Sequence, residues 1–83
     1  MEFIQLYNQN KDKLTKSENK LANYIAAHTE RVIYDTIKSL GKATNTGDAT
    51  IVRLCKKLGY SGFSDLKIAL AQDSMMTTAK NHD

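Results

Sequence analysis

The sequence contains no proline and no tryptophan, and only one cysteine and four glycines among its 83 residues. A composition so poor in proline and glycine excludes collagen-like, proline-rich and linker-like chains. The single cysteine, Cys55, excludes an internal disulfide, and with two histidines it supplies too few ligands for a structural zinc site. A chain this short forms one small domain at most, which leaves little room for the deep cavity of an enzyme.

Long apolar runs are also missing. No segment approaches the ~18 apolar residues of a membrane-spanning helix, and the first 20 residues lack the apolar core of a signal peptide. We therefore expect a cytoplasmic protein that does not engage a membrane. Asp35, Asp48 and Asp65 share no helical face with a histidine, so we expect no catalytic residues, no bound metal and no cofactor.

Positive charge is concentrated in the middle of the chain. Residues 36–67 carry six basic and two acidic side chains, whereas residues 1–35 carry five of each. A basic segment suits a polyanionic partner, but a solvated helix surface explains the same imbalance. The charge count alone therefore does not identify the partner.

Apolar residues recur with helical spacing throughout, and no segment alternates as a strand would. These features predict an all-α fold, a small bundle of five to six helices. Thr15 and Glu18 form the pattern of a capping box, which predicts that a helix over about 16–27 begins here. Thr29 is predicted to cap a short helix over 30–35. Ile37, Leu40 and Ala43 would form the buried stripe of the next helix, over about 37–44.

The most informative segment is 37–58, where two helices flank a turn of about three residues. This arrangement is typical of a helix-turn-helix. Asn45 accepts the left-handed conformation that such a turn needs, and Gly41 or Ala43 supplies a small residue where the helices cross. Gly41 in a helix interior is expected to cost about 1 kcal/mol relative to alanine.

The second of these helices, over 48–58, has two opposed faces. Its apolar face consists of Ile51, Leu54, Cys55 and Leu58, and its basic face of Arg53, Lys56 and Lys57. Because no acid lies at position 49 or 57, we predict that the Arg53 guanidinium is unpaired and faces DNA. The short side chains of Ala49 and Thr50 would let the start of the helix approach base edges in the major groove.

The run GDATIVRLCKKLGYSGFSDLKIALAQ resembles the N-terminal DNA-binding domain of the RpiR family of bacterial transcription regulators, which typically control sugar catabolism. The upstream runs LTKSENKLANYIAAH and RVIYDTIKSLGKAT resemble the preceding helices of the same family, so the resemblance covers about residues 13–72. It implies a homeodomain-like fold with its helix-turn-helix at 37–58. It also implies that the DNA-reading positions are Gly47, Asp48, Ala49, Thr50 and Arg53, with Lys56 and Lys57 contacting the DNA backbone. The chain departs from the usual family pattern at Gly41, Asn45, Thr46 and Gly47.

From the resemblance we expect a DNA-binding domain over residues 1–73, followed by a linker or disordered tail over 74–83. Family members continue into a sugar-phosphate-binding (SIS) domain, which this sequence does not reach, so a sugar-phosphate effector would act only through that absent domain. The expected partner is a palindromic double-stranded operator bound by a homodimer. The alternative is a helical protein–protein interaction module that does not bind DNA.

Overall fold

A computed structural model describes the backbone of residues 1–81 and the side chains of residues 1–73. Within these residues the chain forms six α-helices and one short 3-10 turn, without any strand, which confirms the predicted all-α fold. The elements are α1 (Glu2–Asn10), the 3-10 turn (Lys11–Lys13), α2 (Lys16–Ala27), α3 (Thr29–Ile33), α4 (Ile37–Thr44), α5 (Asp48–Lys57) and α6 (Phe63–Asn81).

Every α-helix contributes to one hydrophobic core. Helix α6 packs against α1, α3 and α5, and α2 packs against α4 and α5. The core side chains of α5 and its C-terminal cap are at most 1% exposed; they are Ile51, Leu54 and Cys55, with Leu58 at the cap. Burying one large apolar side chain contributes about 1.5–3 kcal/mol, whereas an exposed ion pair contributes about 0–1 kcal/mol. Apolar burial, more than surface charge, therefore sets which face of α5 points outward.

Two capping boxes start the helices on either side of α3. The Thr15 side chain accepts the amide of Glu18, and the Glu18 carboxylate accepts the amide of Thr15, as the sequence predicts. Thr36 and Ser39 form an equivalent pair at the start of α4.

The predicted cap at Thr29 is wrong. Thr29 is already the first residue of α3, and its hydroxyl donates backwards to the carbonyls of Ile25 and Ala26. The residue before it, His28, occupies the cap position without a side-chain bond. Since His28 alone separates α2 from α3, the last carbonyls of α2 lie within reach of the Thr29 hydroxyl.

Helix α6 continues past residue 73, where the apolar periodicity of the sequence ends, and reaches Asn81. The expectation of irregular structure over 74–83 is therefore wrong for the backbone as far as residue 81. No glycine or proline occurs between residues 63 and 81 to end the helix. The side chains of 74–83 and the backbone of 82–83 lie outside the described residues, and the role of this segment as a linker stays a prediction.

Candidate nucleic-acid interface

The turn between α4 and α5 has the predicted left-handed residue. Asn45 has φ 55° and ψ 46°, and its amide donates to the carbonyl of Gly41. The amide of Thr46 donates to the same carbonyl at 3.0 Å. Both bonds satisfy a carbonyl at the end of α4, so the turn closes tightly and brings the start of α5 beside α4.

The close turn leaves no room for a side chain at position 41. A Cβ atom added at Gly41 would lie 2.7 Å from the carbonyl oxygen of Thr46. That oxygen belongs to the backbone, so relieving the contact requires the turn to move. Helix propensity counts glycine here only as a cost, but the turn excludes a larger side chain, in line with the predicted need for a small residue at the crossing.

The small residue at the crossing is Gly41, and Ala43 is exposed. Thr44 takes the buried place predicted for Ala43, since α4 turns its core face by steps of three and four residues from Leu40. The Thr44 hydroxyl donates to the Leu40 carbonyl at 2.8 Å and lies 2.8 Å from the Thr46 hydroxyl. The buried hydroxyl thus has partners in both the helix and the turn.

Helix α5 separates apolar from polar residues as predicted. All seven candidate DNA-contact residues lie off its buried face: Gly47, Asp48, Ala49, Arg53 and Lys56 are exposed, and Thr50 and Lys57 are half-buried. One helix and its cap therefore carry all seven candidates on the accessible side of the domain.

The start of α5 has no side-chain cap. Gly47 occupies the cap position in an extended conformation, with φ −89° and ψ 168°, and its carbonyl accepts the amides of Thr50 and Ile51. Within residues 1–73, the amides of Asp48 and Ala49 have no protein acceptor. These two donors and the positive end of the helix dipole suit an anion approaching the end of α5.

Two lysines that the sequence argument did not select adjoin this end of α5. Lys38 and Lys42 lie on α4 and border an open groove that also includes Gly41, Asn45, Thr46 and Asp48. Their spacing of four residues places them on one face of α4. The four-residue spacing of two lysines within the basic segment 36–67 is the sequence feature that could have identified them as part of the interface.

The prediction that Arg53 has no acidic partner is wrong. Its Nε atom donates to Oε2 of Glu18 at 3.1 Å, although 57% of the arginine side chain stays exposed. Glu18 lies on α2, which packs against α5, and is 35 residues away in sequence. Glu18 is too distant in sequence to be recognised as a partner from the residues one helical turn from Arg53.

Glu18 is fully buried and satisfies three donors. Its Oε1 atom accepts the Thr15 amide at 2.9 Å and the Lys57 ammonium at 2.7 Å, while Oε2 accepts Arg53. Burial raises the pKa of Glu18, but the bonds from Lys57, the Thr15 amide and Arg53 outweigh it and hold the pKa below its ordinary value. The sequence identified Glu18 only as a cap of its own helix.

Lys57 is held more closely than Arg53. Its ammonium also donates to the carbonyl of Lys13 at 3.2 Å, and its side chain is 32% exposed. Two of its three N–H donors are therefore engaged within the domain. Lys56, one residue earlier, is exposed and has no such contact among the described residues.

Cys55 belongs to the core, as predicted. Burial raises the pKa of its thiol to about 11, so the reactive thiolate is disfavoured at neutral pH. In the part of the chain that the structure describes, no group of three or more histidine, cysteine or acidic side chains is placed to hold a metal ion. Nor does any helix of that part combine the length and apolarity needed to cross a bilayer.

Comparison with known proteins gives the architecture a family. Residues 1–76 match the family described as "Helix-turn-helix domain, rpiR family". The chain belongs to this rpiR family. It is accordingly a helix-turn-helix DNA-binding domain of the type found in transcription regulators.

Relatives of this rpiR-family domain include the HTH-type transcriptional regulator YbbH of Bacillus subtilis, which is 43% identical over 72 residues. That match covers 87% of this chain and 25% of YbbH, so the chain spans a quarter of that relative's length. The solved N-terminal domain of YbbH has a TM-score of 0.75 and 42% identity, covering 83% of this chain and 84% of that one.

The Vibrio vulnificus NanR protein, solved in complex with ManNAc-6P, is also similar to this chain. The TM-score is 0.84 and the identity 34%, over 96% of this chain and 30% of the NanR chain. Both solved structures therefore share the helical arrangement of this rpiR-family domain.

Proposed function

We propose that this domain binds double-stranded DNA in a sequence-specific manner, with α5 in the major groove. The observation that carries the proposal is the two-sided character of α5. Its apolar face is buried, while its accessible side presents the uncapped start of the helix and the side chains of Arg53 and Lys56. A recognition helix requires this division.

Each candidate residue has a physical role in the proposal. Ala49 and Thr50 let the start of α5 approach the bases, and the amide-bearing end at Gly47 and Asp48 faces a phosphate. Arg53 reads a base edge. Lys56 contacts the DNA backbone, and so does Lys57, which retains one donor beyond its two internal bonds.

One such domain covers only half of an operator. We propose that the regulator binds as a homodimer to a palindromic operator, with half-sites about 34–36 Å apart. Since NanR was solved with ManNAc-6P, we further propose control of sugar or phosphosugar genes through a sugar-phosphate effector that binds outside this domain. Binding to a chromosomal operator would make this a cytoplasmic protein, which is part of the proposal.

The experiment is selection of bound duplexes from a random pool, followed by affinity measurements over a range of salt concentrations. With about four to six phosphate contacts per domain, the slope of log K against log salt should be roughly −4 to −5. A recovered palindrome would also report the half-site spacing. Absence of binding at about 50 mM salt would contradict the proposal and favour the protein–protein interaction module.

The sharpest single substitution is Arg53→Ala. We expect operator binding to weaken by about 1–3 kcal/mol and discrimination to be lost at one base pair, because arginine reads one base edge. Arg31→Ala is the matched control, since Arg31 is an exposed arginine on α3, outside the helix-turn-helix. Unchanged affinity in folded Arg53→Ala protein would remove Arg53 from the interface.

A further inference from the structure

The hydrogen bonds of Arg53 divide its guanidinium into an inner and an outer side. The inner Nε–H donates to Oε2 of Glu18 at 3.1 Å. Among the described residues, no acceptor is bonded to either Nη atom, and 57% of the side chain is exposed. Four of the five guanidinium N–H donors thus remain available on the outer side.

We propose that Glu18, from the interior of the domain, positions Arg53 so that its two Nη groups meet a guanine end-on, at O6 and N7. This inference rests on the proposed DNA binding and deepens it. Glu18 itself touches no DNA and acts only through Arg53, so it is a positioning residue.

The geometry explains why Glu18 binds Arg53 at Nε alone and leaves both Nη groups unbonded among the described residues. A carboxylate and a guanidinium commonly pair through two parallel hydrogen bonds, which would engage Nε and one Nη together. Here Oε1 of Glu18 is already occupied by Lys57 at 2.7 Å and by the Thr15 amide at 2.9 Å. Only Oε2 is left for Arg53, so the pair uses a single bond and both Nη groups stay outward.

Glu18 is also a rigid support. It is fully buried, it belongs to the first turn of α2, and its bond to the Thr15 amide ties the carboxylate to the backbone. An arginine held at Nε loses less side-chain freedom when it meets a base, because part of that freedom is already lost in the free protein.

A purely structural ion pair predicts a different result from a positioning role. If Glu18 only stabilised the contact of α2 with α5, its loss would weaken binding to every duplex alike. Positioning affects only the base pair that Arg53 reads, since phosphate contacts are insensitive to sequence. Discrimination at that base pair is therefore the deciding measurement.

The test compares Glu18→Gln with Thr15→Ala. Glutamine still suits the capping box but loses the charge that holds Arg53, whereas Thr15→Ala removes the cap side chain and leaves the Thr15 amide and Arg53 in place. We expect Glu18→Gln to lose about tenfold or more of the discrimination at the base pair identified by Arg53→Ala. Thr15→Ala should retain this discrimination. In an Arg53→Ala background, adding Glu18→Gln should not lower the discrimination at that base pair any further.

Lys57→Met is the second variant, for use if Glu18→Gln does not fold. It removes one of the two donors at Oε1 of Glu18, while the Thr15 amide stays bonded there. Oε1 can then accept an Nη–H of Arg53 in the two-bond pairing, which withdraws one Nη from DNA, so the same discrimination should fall. Equal discrimination in a folded variant and the unmodified protein would overturn the positioning role while leaving DNA binding intact. Absence of any sequence preference in the unmodified protein would overturn the proposed function itself.

A second readout needs no DNA. Nuclear magnetic resonance of the Arg53 Nε–H group should show slow rotation of the guanidinium in the unmodified chain and fast rotation in Glu18→Gln. Thr15→Ala should resemble the unmodified chain. Fast rotation already present in the unmodified protein would contradict the proposed orientation, whatever DNA the domain binds.

Discussion

The two halves of α5 are held in different ways. The first turn, Asp48 to Thr50, and the cap Gly47 before it make no side-chain hydrogen bond within the described part of the molecule. The second half is tied to α2 through Arg53 and Lys57, which both donate to the buried carboxylate of Glu18. The start of α5 is thus exposed without side-chain partners, while its basic end is ordered by bonds to α2.

The difference shows that basic residues on one face of a helix are not equivalent. Lys56 is exposed and its ammonium has no hydrogen bond or ion pair among the described residues. Arg53 is held at one atom, and the ammonium of Lys57 is held by two acceptors. A count of positive charges treats the three alike. Their internal hydrogen bonds separate an exposed lysine without a partner among the described residues from an arginine held at Nε and from a lysine whose ammonium joins α5 to α2. Under the proposed function, Lys56 would be the freest phosphate contact and Arg53 the oriented base reader.

The largest expected effect is from breaking the tie between α2 and α5. Glu18→Ala should destabilise the fold by about 3 kcal/mol, because it removes a buried partner of two cations together with half of a capping box. Urea unfolding measures the change. Asp48→Ala, at the open end of α5, is the control and should cost about 0.5 kcal/mol. A Glu18→Ala effect below about 1 kcal/mol would mean that the pairs contribute no more than surface ion pairs.

The next effect concerns the turn that joins α4 to the open end of α5. Gly41→Ala should destabilise by about 1–2 kcal/mol, because the new Cβ meets the Thr46 carbonyl at 2.7 Å. Thermal or urea unfolding checks the sign. Helix propensity alone predicts the opposite, a gain of about 1 kcal/mol. A stabilised Gly41→Ala variant would therefore show that the turn shifts at little cost.

Acid should weaken the ion pairs that join the second half of α5 to Glu18 of α2. Folding lowers the pKa of Glu18 from its ordinary value of 4.5, so its stabilising contribution is complete above that value. The contribution is lost as pH falls through the lower pKa of the folded state, where Arg53 and Lys57 keep their charge. The difference in stability between the unmodified protein and Glu18→Gln should narrow by about 1.4 kcal/mol per unit of pKa lowering. A difference that is constant with pH would contradict this.

The smallest effect is expected at the open end. Gly47→Ser should stabilise the fold by a few tenths of a kcal/mol, because serine can cap α5 where glycine cannot. The backbone φ of −89° suits serine, and an added Cβ meets no atom within 4 Å. Urea unfolding again measures the change. Gly41→Ala is the contrasting variant, because its added Cβ does meet a backbone atom. A loss of stability would show that the start of α5 has a conformation specific to glycine.

Much of this architecture follows from local pattern. The two faces of α5, the left-handed Asn45 and the capping box at Thr15 were predicted and are present. The cap at Thr29, the buried Ala43 and the end of regular structure at residue 73 were wrongly predicted. In these places the packing of neighbouring helices, or the absence of a helix-breaking residue, outweighs the local preference.

Sequence alone determined several features that depend on residues within about one helical turn of each other: the capped start of α2, the turn, and the separation of apolar from basic residues along α5. Tertiary structure decided which basic residues have partners, because Glu18 is 35 residues from Arg53 and 39 from Lys57. It also decided the need for glycine at position 41, which arises from a backbone oxygen across the turn. Periodicity records which side of a helix is buried, and only packing brings a distant carboxylate to the basic residues on its other side.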